Sequence, residues 1–204
     1  MTERCDTGRR ILYLASASPR RRELLAQLGI EFELAAAQVD EGRRGRETAA
    51  DYVRRLALAK ARAASRSVDL ARGIVLAADT AVVIDDRILG KPVGEADAVR
   101  MLGALSGRSH EVYTGIVALD ETREAFALSR SAVRFREISP AEAAAYWQTG
   151  EPRDKAGGYA IQGIGAIFVA ELRGSYSGVM GLPLFETACT LTSFGYRFLG
   201  PGED

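Results

Sequence analysis

Ile11-Leu12-Tyr13-Leu14-Ala15-Ser16-Ala17-Ser18-Pro19-Arg20-Arg21-Arg22-Glu23-Leu24-Leu25 sets a strand, a turn and the start of a helix side by side. Residues 11–15 are a short apolar run, too brief for a helix and bounded by turn-forming serines. Ser18 before Pro19 marks a helix start, because serine caps free backbone N–H groups and proline's fixed φ suits the first helical position. Leu24, Leu25 and Leu28 form an apolar stripe and Gly29 a stop, which predicts a helix over 19–28. A strand running straight into a helix is the opening unit of an α/β fold.

Working outward, the same alternation persists. Residues 32–36 predict a second strand, 38–46 a charged loop, and 48–65 a helix whose inner face carries Val53, Leu56, Ala57 and Lys60. Residues 73–84 predict either one strand or two strands broken by a turn at Asp79-Thr80, followed by a turn at 85–87 into Ile88-Leu89. A helix over 95–105 follows. Residues 110–119 and 124–136 flank a turn, and Ser129, Ser131, Val133 and Phe135 alternate with polar neighbours as in a hairpin with one wet face. That hairpin excludes a purely parallel doubly wound sheet. Ser139-Pro140-Ala141-Glu142 is a capping box with proline at the first helical position, opening a helix that runs to Gly150. Five glycines within 150–165 predict a loop whose backbone approaches a ligand closely. A strand over 167–172 and a helix over 184–194 complete a mixed α/β fold with a partly antiparallel sheet and flanking helices. We expect one domain over 11–195, with an N-terminal tail at 1–10 and a C-terminal tail at 196–204.

Composition removes several classes of function. The 204 residues are 47% apolar and 26% charged, which describes a folded globular chain. Twenty-seven basic and 27 acidic residues cancel, so no global field draws the chain to nucleic acid or to an anionic membrane. The longest apolar runs are about five residues, far short of the ~20 that span a bilayer. The polar start carries no export-signal pattern, and Cys5 and Cys189 form neither a disulfide framework nor a metal-ligand spacing. A reducing, cytoplasmic setting is expected. His110 is the single histidine, so no Cys/His set exists for zinc, and any metal must be held by oxygen.

Several residues carry candidate chemistry. Ser16, Ser18, Arg20, Arg21 and Arg22 surround a helix N-terminus, where free N–H groups and guanidinium forks suit an anion such as phosphate. A capped helix with a solvated basic face is the alternative. Asp79 lies between two apolar runs, where an ionised carboxylate is costly; it should hold a cation or carry a raised pKa suited to proton abstraction. If Asp79-Thr80 were instead a tight hairpin turn, it would lack the usual Gly or Asn. The three lysines, Lys60, Lys91 and Lys155, together with Glu41 and Asp79, supply the residue types of metal-assisted phosphoryl chemistry. Lys60 either snorkels to solvent from its helix's apolar face or pairs with a buried acid or a phosphate. Gln162 offers the donor and acceptor that base recognition requires.

The run 14–25 resembles the opening signature of the Maf family of nucleoside triphosphate pyrophosphatases. In register with it stand Val39-Asp40-Glu41, Ala59-Lys60-Ala61, Ala78-Asp79-Thr80, Gly90-Lys91-Pro92, Gly150-Glu151-Pro152, Asp154-Lys155-Ala156-Gly157, Tyr159-Ala160-Ile161-Gln162-Gly163 and Val179-Met180-Gly181-Leu182-Pro183. The resemblance implies a two-lobed fold akin to the inosine triphosphate pyrophosphatases, with the site in a central cleft and often a homodimer. It implies hydrolysis of a nucleoside triphosphate to the monophosphate and pyrophosphate, dependent on a divalent cation, Mg²⁺ or Mn²⁺. By position Asp79 matches the proton acceptor, while Glu41, Lys60, Lys91, Asp154 and Lys155 match residues handling metal and phosphates; Glu41 and Asp79 are the expected metal ligands. Ser16, Arg20 and Arg21 fall to substrate binding. Arg20, Thr80 and Gln162 are similar to the branch acting on dTTP and UTP, as against the 7-methyl-GTP branch. The family's association with septum formation leaves a nucleotide-binding regulator of cell division as the competing function.

Overall fold

A computed structural model describes residues 10–35 and 37–198. Residues 1–9 and 199–204 of the expected tails, Cys5 among them, and the end of the predicted second strand at Ala36 lie outside the described residues. Among the described residues seven strands form one sheet: β1 (Ile11–Leu14), β2 (Phe32–Leu34), β3 (Gly73–Ile84), β4 (Arg87–Leu89), β5 (Ser109–Leu119), β6 (Glu124–Phe135) and β7 (Val169–Arg173). The spatial order is β2-β1-β3-β5-β6-β7, with β4 also on β3. β2, β1 and β3 run parallel, whereas β3, β5, β6 and β7 are antiparallel neighbours. The sheet is therefore mixed, as the alternation of helices with a long hairpin predicts.

β3 decides where the site lies. Its 12 residues form one unbroken strand, so Asp79-Thr80 is not a turn: Asp79 pairs with Gly115 and Thr80 with Thr114 of β5. On its other edge β1 pairs as far as Leu76, and β4 takes over at Val82. Between these two partners no strand of the described residues covers residues 77–81. There the chain leaves β1, with Ala15 N–H donating to the Leu76 carbonyl, and turns into the first helix. The gap opens at the C-terminal end of parallel strand β1, the usual place for a ligand crevice in such sheets.

The helices are α1 (Pro19–Ala26), α2 (Ala49–Ser65), α3 (Glu95–Leu105), α4 (Pro140–Gln148), α5 (Tyr176–Met180) and α6 (Leu184–Ser193). Their packing follows the two faces of the strands. Leu12, Leu14, Leu76 and Ala78 meet Leu24 and Leu25 of α1 and Leu191 of α6, while Tyr13, Val75 and Ala77 meet Ala57, Ala61 and Ala64 of α2. Past Asp79 a second core gathers Val82 and Ile84 with Leu102, Phe135, Tyr146, Tyr159 and Phe168. The polar pair at 79–80 thus marks, on β3, the seam between two apolar bodies that share β3, β5 and β6.

Some boundaries differ from expectation. α1 ends at Ala26 and α4 at Gln148, residues 167–168 belong to a 3-10 turn, and α5 was not foreseen. Five residues are too few for a periodic signal; α5 is started by Ser175, whose hydroxyl accepts from Gly178 N–H at 2.9 Å. Tyr196 is buried and its hydroxyl donates to the Arg10 carbonyl at 2.7 Å, and Phe198 packs on the same core. Residues given to the two tails are thereby part of the packed body.

Candidate active site

The seam opens into a cleft of about 480 Å³. Asp79 sits at its floor, 8% exposed, with its Oδ1 receiving a hydrogen bond from Lys60 Nζ at 2.6 Å. The same ammonium lies 2.6 Å from Glu41 Oε1. Lys60 occupies this place because β3 turns Asp79 toward α2, on the side of Val75 and Ala77, and Lys60 shares α2's inner face. It does not snorkel to solvent; it bridges two acids.

Burial pushes the Asp79 carboxyl above the ordinary carboxylate range, and Lys60 and Arg21 hold it down only in part. Glu41 goes the other way. Burial works to raise it too, but the Lys60 bond and charge, with Lys91 and Arg21, outweigh that and lower it. Two carboxylates on one ammonium therefore differ in proton affinity, the arrangement that separates a base from a permanently charged partner.

Arg21 closes the opposite wall. Its Nε donates to the Gly181 carbonyl at 2.7 Å and Nη2 to Thr80 Oγ1 at 3.2 Å, and Nη1 reaches Ser16 Oγ at 3.5 Å. Thr80 Oγ1 lies 2.9 Å from Thr114 Oγ1, which donates to the Gly178 carbonyl at 2.7 Å. This chain ties α1, β3, β5 and α5 together. Burial lowers the Arg21 pKa while Asp79 supports its charge. Ser18 occupies the N-cap position of α1 without a side-chain capping bond, and its own N–H donates to Ser16 Oγ at 3.2 Å. The first turn of α1 also has no acidic residue, so its N-terminus faces the cleft without an internal anion.

Most of the candidate residues line this one cleft: Ser16, Ser18, Arg20, Arg21, Glu41, Lys60, Asp79, Thr80, Lys91, Asp154, Lys155 and Gln162. Lys91 and Lys155 reach it on different loops, joined where Gly157 N–H donates to the Gly90 carbonyl at 3.0 Å. Arg20 pairs with Asp154 at 3.6 Å, and Lys155 pairs with the same carboxylate. Arg22 and Asp40 stay out of the lining; Asp40 instead accepts from Gly42 N–H at 2.9 Å. Sequence reasoning missed Tyr52, whose hydroxyl donates to the Glu41 carbonyl at 3.0 Å, and Thr114, which only the β3–β5 register brings under Thr80.

The lining carries five cations against three carboxylates, a surplus that suits a polyanion. For a divalent metal the donor chemistry fits. Glu41 and Asp79 are hard oxygen donors that converge on the Lys60 ammonium, and each keeps a second oxygen that Lys60 does not take. Among the described residues no three acidic, histidine or cysteine side chains group closely enough to hold an ion by themselves, so water or ligand oxygens would have to complete the shell. No helix of the described residues is long and apolar enough to cross a membrane.

Residues 11–194 match the family model described as Maf-like protein. The chain belongs to the Maf family. Among its Maf relatives, a protein of Saccharophagus degradans named dTTP/UTP pyrophosphatase is 53% identical over 185 residues, covering 90% of this chain and 88% of its own. One of Methylococcus capsulatus with the same name is 54% identical over 184 residues, covering 90% and 91%. The solved Staphylococcus aureus Ham1 protein overlays 64% of this Maf chain and 73% of its own with a TM-score of 0.45 at 13% identity, too loose a match to build on.

Proposed function

We propose that this Maf protein hydrolyses dTTP and UTP to the monophosphate and pyrophosphate. The observation that carries the reading is Asp79: a mid-strand carboxylate, raised by burial and flanked by Lys60 and Arg21, at the floor of a cation-rich cleft. Relatives half identical over nine tenths of the chain and named for that activity support the substrate class.

The chemistry follows from the residues. Ionised Asp79 accepts a proton from water as the water oxygen bonds to the α-phosphorus; the bond from that phosphorus to the bridging oxygen breaks, and pyrophosphate leaves with the electron pair. Lys60, Lys91, Lys155 and Arg20 neutralise the charge that gathers on the departing group, and the N-terminus of α1 presents N–H groups to it. Arg21 is committed to Gly181 and Thr80, which fits it to hold the walls of the cleft in register. Glu41 and Asp79 would hold Mg²⁺ or Mn²⁺, which when bound would neutralise phosphate charge. Ile88, Tyr159, Ile161 and Met180, also in the lining, offer apolar surface for a base, with Gln162 as polar reader.

The deciding experiment is a panel of dTTP, UTP, 7-methyl-GTP and the common purine triphosphates, with Mg²⁺, Mn²⁺ or a chelator. Pyrophosphate release from the two pyrimidine nucleotides, lost on chelation, is expected. Orthophosphate as the first product would overturn the bond cleaved, and preference for methylated guanine would overturn the substrate. Turnover undiminished by chelation would remove the metal.

A further inference from the structure

We propose that Glu151, held by Tyr146, is a positioning residue that fixes loop 159–165 and so determines how Gln162 meets the base; this rests on the pyrimidine pyrophosphatase reading. Glu151 Oε1 accepts from the Tyr146 hydroxyl at 2.5 Å and from Gly165 N–H at 2.9 Å, and its Oε2 accepts from Ile164 N–H at 2.9 Å. The Tyr146 oxygen accepts in turn from Ala160 N–H at 3.1 Å. One carboxylate and one hydroxyl thereby take up backbone donors on both sides of Gln162.

The loop is shaped to receive this clamp. A Cβ at Gly163 would stand 2.1 Å from Glu151 Oε2, and one at Gly165 would stand 2.6 Å from the Tyr146 hydroxyl. Two of the glycines expected to admit a ligand therefore admit Glu151 and Tyr146 instead. At the loop's other end the Tyr159 hydroxyl lies 2.8 Å from His110 Nε2, both residues being buried. Burial brings the imidazole down to about 4, so it is neutral and inert at physiological pH. Gln162 is exposed on the cleft, and its side chain has no hydrogen-bond partner among the described residues. The backbone on either side of it is pinned while its amide is left for a ligand.

Burial alone would raise Glu151, but the Tyr146 hydroxyl and the two N–H donors outweigh it, and the group stays an ionised acceptor. Glu151→Gln puts an amide NH₂ against those donors and breaks at least one bond. Tyr146→Phe removes the hydroxyl from both Glu151 and Ala160. Neither residue lines the cleft.

The test compares wild type, Glu151→Gln and Tyr146→Phe in steady-state kinetics with UTP and ATP, together with competitive inhibition by inorganic pyrophosphate, which has no base. We expect KM for UTP to rise about tenfold in Glu151→Gln, the size of one charge-assisted hydrogen bond, with kcat little changed. Discrimination against ATP should shrink in step, and pyrophosphate inhibition should hold. Tyr146→Phe should move the same way. Unchanged KM and discrimination in both variants overturn the inference, as does pyrophosphate inhibition that weakens in parallel with KM. If Glu151→Gln fails to fold, Tyr146→Phe decides alone. A wild-type protein that hydrolyses no nucleoside triphosphate sinks the parent reading and this inference with it, whereas an active wild type with unaltered variants sinks only the inference.

Discussion

At the residue scale the proposed chemistry rests on the unequal pair of acids around Lys60. Asp79→Asn should lower turnover by about 10²–10⁴, the usual worth of a positioned base, and leave nucleotide affinity nearly intact. Pyrophosphate release and calorimetric binding check the two halves separately. The same variant carries a stability prediction. Asp79 has a raised folded pKa, so the stability its protonated form gives is present at low pH and lost as pH rises through that value. Asparagine escapes that loss, and the thermal midpoint at neutral pH should not fall. The acidic limb of kcat/KM should lie above the ordinary carboxylate value of about 3.9. Lys60→Met removes the charge that holds Asp79 down and should move the limb higher; Glu41→Gln removes a like charge and should move it lower. A limb indifferent to both would exclude Asp79 as the titrating base. Asp79 was legible in the sequence because an acid inside an apolar run is costly. Its partnership with Lys60 was not, since period alone cannot tell a snorkelling lysine from a paired one.

At the scale of elements, the turn joining β5 to β6 is held by Asp120. One oxygen accepts from the N–H groups of Thr122 and Arg123 and from the Thr122 hydroxyl, at 2.9–3.0 Å, and the other accepts from Arg10 at 2.8 Å. Burial would raise this carboxyl, yet the donors together hold it far below the ordinary range. Its folded pKa is depressed, so its stability is present above the unfolded value of about 3.9 and lost as pH falls through the folded one. Asp120→Ala should cost about 1–3 kcal/mol at pH 7 in urea unfolding, with the gap to wild type closing as the medium is acidified toward the folded pKa. A constant gap would show that something other than the ionised carboxylate stabilises the turn. Elements with their own signals were readable in advance: the capping box of α4, the stripe of α2, the alternation in β6. α5 and the 3-10 turns were not, because short segments are fixed by bonds to distant residues, as Thr114 fixes Gly178.

At the scale of the whole molecule, the cleft is a seam between two apolar bodies that share β3, β5 and β6, so a ligand bridging them should stabilise both. Pyrophosphate with Mg²⁺ at a hundred times its dissociation constant should add about 2.7 kcal/mol, a rise of roughly 5–10 °C in midpoint for a chain of this size. Lys91→Ala and Lys155→Ala should diminish that rise, and a midpoint indifferent to pyrophosphate would place polyphosphate binding elsewhere. Leu76→Ala should cost about 2–5 kcal/mol in thermal or urea unfolding, since Leu76 is fully buried where β1 and α1 meet β3. Sequence alone determined the mixed α/β class, the anion-suited turn before α1 and the residue types of the cleft, because periodicity, caps and misplaced charges are local properties of a chain. Only tertiary structure decided that β3 runs unbroken through Asp79, that Lys60 bridges Glu41 and Asp79, and that Glu151 and Tyr146 pin the loop of Gln162. Each of these depends on strand register and helix placement, which bring together residues separated by long stretches of chain, and spacing along the sequence does not encode such distances.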